Sequence, residues 1–261
     1  LGEVMETGTP MGITITNDIN TVLSNQEVDV VFHQTASTMK AVTRQLIELV
    51  VLGLNVVSTT EELSYPYIAN YDLAKAVDDA AKAYNVSVLG TGINPGFLQD
   101  TWPITMTALC ENVTYVKSVR VQNASTRRLP FQKKIGAGCT IEQFDELVED
   151  KVLRHVGVTE SMHMIAVGLG WRLSKIDESI KPVIADEATR SRYITVEPGQ
   201  AAGVRQVGLG YIGNSEVIRL EFEASLIVPE SYDAVYISGT PPIETVIKGG
   251  IHGDIGTAAM V

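Results

Sequence analysis

Cysteine is scarce in this chain: Cys110 and Cys139 are the two among 261 residues, too few for a disulfide framework or a metal quartet. That points to a reducing compartment, the cytoplasm, and gives no metal site to expect. Basic charge is also in deficit. Lys and Arg number 20 against 31 Asp and Glu, for a net charge of −11, and no basic stripe follows the spacing of a nucleic-acid backbone. The densest basic stretch, Arg127-Arg128 with Lys133-Lys134, reads as a solvated loop. No apolar run approaches the roughly 20 residues of a membrane helix, so no membrane partner is expected, and no signal-peptide pattern opens the chain. What is present, 45% hydrophobic and 20% charged residues, suits a globular protein of one large domain or two ordinary ones.

From Met11 to Leu89 the pattern alternates strand and helix. Gly12 to Thr16 reads as a short strand, and Asp18 caps a small helix around Val22-Leu23. Val28 to His33 is a nearly continuous apolar run, as expected of a parallel strand covered on both faces. Thr38 then caps a helix whose Met39, Val42, Leu46 and Val50 keep a helical period, and Gly53 ends it. Asn55 to Thr59 is the next strand. Pro66 starts a helix with Leu73, Val77, Ala80 and Tyr84 on one face, and Val86 to Leu89 closes the series. Such alternation implies parallel βαβ units joined by right-handed crossovers, an α/β, Rossmann-like sheet.

Beyond Phe97 the texture changes. A helix is expected from Leu98 to Glu111, starting or kinking near Pro103, then a half-buried strand over Val113 to Gln122 and a helix from Thr140 to Asp150. Lys175 to Lys248 is mostly extended, with Val217 to Glu223 alternating and Gly213-Asn214 as a turn signal. This is a second, α+β domain with an open mixed sheet. An open sheet of that extent needs cover, so a homodimer through it is expected.

Ligands of an open parallel sheet bind beyond the carboxyl ends of its strands. Three such ends follow the strands here: His33 to Ser37, Thr59 to Glu62, and Gly90 to Phe97, the last reading Gly-Thr-Gly-Ile-Asn-Pro-Gly-Phe. Small and hydroxylated residues there let a flat ligand lie against backbone. The glycines of the third loop either hold it open for that ligand or satisfy its own dihedral angles. A glycine-rich phosphate loop between a first strand and helix is missing from the opening of the chain, and Gly208-Leu209-Gly210 lies in extended sequence with no helix after it. Together with the start at Leu1 and the apolar end at Val261, this reads as a fragment without its first βαβ unit.

Val56 to Pro66, Ser87 to Asp100 and Gly157 to Trp171 resemble the 2,4-diaminopentanoate dehydrogenases and the related native amine dehydrogenases, built on a dihydrodipicolinate-reductase-like fold. The dihydrodipicolinate reductases proper carry adjacent histidines followed by a lysine and a Ser-Gly-Thr loop, which this chain lacks. The resemblance implies oxidative deamination with NAD or NADP, reversible as reductive amination, of a small amine, diamine or ketone. It implies a partial cofactor domain over residues 1–95, a catalytic and dimerising domain over 96–245, and a return segment over 246–261. By residue matching, Glu61 is the catalytic acid. Thr35, Ala36, Ser37, Thr59, Asn94 and Pro95 would meet the cofactor, and Arg120, His155 and His163 the substrate. The alternatives are another amino-acid reductase on the same fold and a non-catalytic NAD-sensing or scaffold protein, which would have no need of an acid at the Glu61 strand end.

Overall fold

The computed structural model describes residue 12, residues 15–24 and residues 27–261. The strand expected over Gly12 to Thr16 falls on Ile13 and Thr14, which lie outside the described residues. Asp18 caps α1 (Ile19–Leu23) by accepting from the Asn20 amide. Strands β1 (Val30–His33), β2 (Asn55–Ser58) and β3 (Val88–Gly90) then form a parallel sheet in that order. The connections between them carry α2 (Met39–Val51) and α3 (Tyr71–Tyr84). Met39, Val42 and Leu46 of α2 pack with Val56, Leu63 and Val77 in one core under the sheet.

Two details differ from the sequence pattern. Thr38 occupies the N-cap position of α2 but donates no side-chain cap. The Met39 amide is instead held by Glu62 Oε2 at 2.8 Å, a carboxylate 23 residues away, at the positive end of the helix. Pro66 does not start α3. Residues 66–70 form a turn, and the helix buries Ala74, Val77 and Ala81, one step round from the expected face.

The second part of the chain begins with α4 (Thr101–Thr107), shorter than expected because β4 (Glu111–Asn123) already starts at Glu111. Pro103 sits in its first turn, where no amide donor is needed. Then come α5 (Leu129–Lys134), α6 (Ile141–Glu149), α7 (Val158–Gly168), β5 (Lys175–Ile184), the two-residue pair β6 (Thr189–Arg190) and β7 (Thr195–Val196), β8 (Ala201–Ile212), β9 (Ser215–Ser225), β10 (Tyr232–Thr240), β11 (Ile243–Lys248) and α8 (Gly253–Met260). The large sheet has the order β11-β10-β4-β9-β8-β5, with β4 and β9 parallel and the other pairs antiparallel. Ile218, Leu220, Phe222 and Ala224 of β9 point to the buried side. There α7 supplies Val158, Met162 and Ile165 to one cluster, and α6 supplies Phe144 to another. The intervening Arg219, Glu221 and Glu223 lie on the opposite face, paired with neighbours that include Lys117, Arg205 and Glu216. The fold is thus α/β, a Rossmann-like parallel sheet beside a larger mixed sheet. Among the described residues no helix is long and apolar enough to cross a membrane.

The basic stretch expected as a solvated loop is not one. Leu129 to Lys134 is helical, and Arg127 is 6% exposed with its guanidinium 4.0 Å from the centroid of the Phe131 ring. The Pro at the start of α5 and the two lysines in its last turn are favourable helix signals that a reading for charge alone passes over.

After β11 the chain turns back. Ile251 donates its amide to Asp233 Oδ2 at 2.7 Å, and its carbonyl accepts from Arg120 Nη2 and Gln122 Nε2, each at 2.8 Å. Arg120 and Asp233 pair directly at 2.7 Å with almost no exposure. Burial disfavours charge on both, and each offsets that cost for the other. Removing one partner leaves a buried charge unanswered. Asp233→Ala should therefore lower stability by about 3–5 kcal/mol, read as a drop in the midpoint of urea unfolding. Asp79→Ala, at an exposed pair on α3, should shift it far less.

Candidate active site

The three strand ends of the parallel sheet are tied to one another before any ligand is considered. The Thr59 amide donates to His33 O, the Thr91 amide to Ser58 O at 2.8 Å, and the Glu62 amide to Ser37 O. Buried Ser58 and Thr60 hydroxyls bridge the same loops, Ser58 to the His33 ring and Thr60 to Ala36 O. The loop after β3 is pinned from the other side by Asp100, which is fully buried. Its carboxylate accepts from the amides of Gly96 and Thr101 and from the Ser161 hydroxyl of α7. Asp100 is the N-cap of α4, a role its residue type suits, but its bonds to Gly96, four residues back, and Ser161, 61 residues ahead, lie beyond that local signal.

The glycines of that loop answer to the loop itself. Gly96 has φ of 123°, and a side chain there would collide with the backbone of Gly92. One on Gly90 would collide with the Leu63 carbonyl. They allow two backbone segments to touch, rather than leaving space for a ligand. Gly92, Ile93, Asn94 and Pro95 nevertheless face a cavity of about 270 Å³ at the strand ends. Thr35, Ala36, Ser37 and Thr59 line it too, as do Gln34, Glu61 and Thr257. The structure therefore brings together the six residues expected around the cofactor, and with them Glu61.

Glu61 opens a 3-10 turn, residues Glu61–Ser64, directly after β2. Successive side chains of such a turn point about 120° apart. Glu62 turns back to α2, while Glu61 faces both the first cavity and a second one of about 180 Å³. The second cavity lies against the large sheet and is lined by Asn94, Arg120, Gln122, Arg127, Phe131, Lys134, His155, Phe222 and Asp254 among others. Lys134 Nζ stands 3.8 Å from Glu61 Oε1. The Arg120 guanidinium borders the cavity but is bound to Asp233 and Ile251. Arg127 Nη2 pairs with Asp254 at 3.2 Å, and Arg127 Nε is buried with no hydrogen-bond partner. Sequence reasoning passed over Arg127, Lys134 and Phe131.

His155 stacks on Phe222 with ring centroids 4.5 Å apart, and its Nε2 lies 3.0 Å from Asn94 Nδ2. The second hydrogen of that amide goes to Gln99 Oε1. Nε2 must then accept, which puts the ring proton on Nδ1. Burial, with Lys134 and Arg120 nearby, pushes His155 down to about 3. His163, on α7, lines neither cavity, and burial lowers its pKa. Cys139 is half-buried and its thiol is pushed up by burial, which does not suit a nucleophile. A larger crevice of about 340 Å³, between α3 and β3, is bordered by Asp78 and Lys82, which pair with each other, and neither Glu61 nor the glycine loop tip reaches it.

A parallel sheet whose strand-end loops share a cavity, with an acid at its edge facing the side of the large mixed sheet, is a Rossmann-like arrangement. Solved structures agree on the fold. An amine dehydrogenase from Mycobacterium smegmatis superposes with a TM-score of 0.84 at 20% identity, over 99% of this chain and 77% of that one. A biliverdin reductase from Synechocystis, in complex with biliverdin and NADP+, gives 0.51 at 12% identity, over 90% of this chain and 67% of that one. Residues 97–261 match the model of the 2,4-diaminopentanoate dehydrogenase C-terminal domain. The 2,4-diaminopentanoate dehydrogenase of Acetoanaerobium sticklandii is 36% identical over 245 residues, covering 92% of this chain and 69% of that protein. The chain belongs to the 2,4-diaminopentanoate dehydrogenase family and is an oxidoreductase.

The tautomer of His155 is open to direct test. Nitrogen-15 NMR of the imidazole should show the neutral, Nδ1-protonated form throughout the acid range down to about 3. Appearance of imidazolium near the ordinary histidine value would contradict the Asn94 contact.

Proposed function

We propose that the protein is an NAD(P)-dependent amine dehydrogenase acting on an amino or diamino acid, by reversible oxidative deamination to a ketone and ammonium. The observation that carries this reading is the position of Glu61 on the wall shared by the two cavities. The strand-end cavity fits a nicotinamide ring. It opens beyond three parallel strands, and its rim of Gln34, Thr35, Ser37, Thr59 and Asn94 offers side-chain donors and acceptors. When bound, the nicotinamide would accept or supply the hydride. An acid between that ring and the second cavity is placed for the proton traffic of deamination. Glu61 takes a proton from the substrate ammonium and passes it to solvent; it then takes one from the water that attacks the iminium carbon and returns it to the nitrogen, which leaves as ammonium. A sensor or scaffold gives no such role to a carboxylate there.

The second cavity supports the substrate class. Arg127 and Lys134 both border it, and two positive charges on one wall suit a carboxylate on the substrate. Asp254 and Glu61 supply acceptors for amino groups. Phe131 and Phe222 flank the carbon chain, and His155, neutral, offers no charge to repel an ammonium. Arg120 acts here as a wall held in place by Asp233. We further place the protein in the cytoplasm, as a homodimer through the face of the large sheet that carries Arg219, Glu221 and Glu223, with small molecules as its other partners.

Glu61→Gln keeps the shape and removes the proton acceptor. Turnover of an amino-acid amine should fall roughly 10²–10⁴-fold, with NAD(P) affinity retained in calorimetry. Glu62→Gln should instead lower thermal stability, through the α2 terminus, and leave turnover of the folded enzyme close to normal. Equal losses of turnover from both changes would overturn the assignment. Light scattering should give twice the chain mass at micromolar concentration, and a clean monomer would remove the dimer.

A further inference from the structure

His155 also borders a third cavity, of about 240 Å³. Three carboxylates from three elements line it: Glu62 of the 3-10 turn, Glu160 in the first turn of α7 and Glu178 of β5. Two of them are answered. Glu62 Oε2 accepts from the Met39 amide and from Asn70 Nδ2, and Glu62 Oε1 lies 3.7 Å from Arg154 Nη2. Glu178 Oε1 accepts from Gln206 Nε2.

Glu160 is different. It is 5% exposed and lines the cavity, and among the described residues its carboxylate has its own backbone amide and no hydrogen bond or ion pair from any other residue. Burial, reinforced by Glu62, pushes it up to about 7. A buried acid beside two further carboxylates is either protonated or, when ionised, met by a cation, and the cavity it lines leaves room for one. Among the described residues no group of three or more His, Cys, Asp or Glu side chains is arranged to hold a metal ion. Carboxylates spread around a space of this size suit a cation that donates hydrogen bonds in several directions and accepts water as a further neighbour.

We infer that this cavity is a binding site for ammonium, held between Glu160, Glu178 and Glu62 and separated from the substrate cavity by His155. The inference rests on the amine dehydrogenase reading, in which ammonium is the product of deamination and a co-substrate of amination. A site next to the reacting centre would keep the ion at hand for amination and receive it after deamination, without occupying the space of the substrate's carbon chain. Ionised Glu160 binds the ion and protonated Glu160 does not, so occupancy grows as pH rises through about 7. The charged or titratable groups facing it are Glu62, Glu178, Arg154 and His155, of which Arg154 alone opposes a cation.

Thermal unfolding of the wild-type protein in chloride salts of ammonium, potassium, sodium and tetramethylammonium, at matched ionic strength, reads binding without turnover. Ammonium should raise Tm above the other three, more above pH about 7 than below it. In Glu160→Gln that increment should vanish. The KM for ammonium in amination should rise about tenfold while the KM for the ketone stays within about twofold, as expected for loss of one charge-assisted contact. Equal stabilisation by potassium and ammonium would overturn the assignment, and so would an unchanged increment in Glu160→Gln. Should that variant fail to fold, the wild-type salt series decides alone. If amination is absent while the ammonium increment persists and depends on Glu160, the proposed function falls and the site stands.

Discussion

The ion pair between Arg120 and Asp233 is the constraint on which the site depends. It links neighbouring strands of the large sheet deep beneath the cavity. Through Ile251 it fixes the point at which the chain leaves β11 and turns back toward the parallel sheet. Everything that α8 contributes follows from that turn. Asp254 reaches Arg127 and Arg128, Thr257 faces both cavities, and Gly256 sits against Ile93 of the glycine loop. A buried pair of this kind is a poor source of net stability. Its effect is to tie the return segment, through Ile251, to one place against the sheet.

Two sheets of different character meet at this site, and they divide the work. The parallel sheet ends in loops whose backbones are bonded to one another, so its cavity, the cofactor side on the proposed reading, is built mainly from main chain and small side chains. The opposite wall is built from long side chains, Phe222 of β9, Lys134 of α5, and Arg127 and His155 from loops; on the proposed reading this is the substrate side, made of groups that can differ without disturbing the backbone. Glu61 stands where the two surfaces join.

The parts legible in the sequence were those governed by short-range pattern. The helical period of Met39, Val42, Leu46 and Val50, the Gly213 turn and the Thr140 cap with Gln143 all appear where their spacing puts them. The parallel strand ends also placed Glu61 beside Thr35, Thr59 and Asn94. What the pattern hid depends on distant partners. Glu62 reads as a first-turn helix acid but holds the start of α2. Arg127 reads as a surface charge, yet it is buried by Phe131 and by a return segment more than a hundred residues later. The glycines of the third loop leave two readings open in the sequence, and the contacts of Gly90 and Gly96 with neighbouring backbone decide for the loop's own geometry. In each case the local residue types are compatible with exposure, and only tertiary contacts decide against it.

One dipeptide has a wider consequence. Glu61 and Glu62 are consecutive on a single turn, one facing the reacting centre and the other anchoring α2 and meeting Arg154. On the proposed reading, the acid therefore shares its stretch of backbone with a fastening of α2. For the same reason, attempts to widen the substrate range have more freedom on α5 and β9, whose side chains shape the second cavity, than along this turn, where function and architecture share one stretch of backbone.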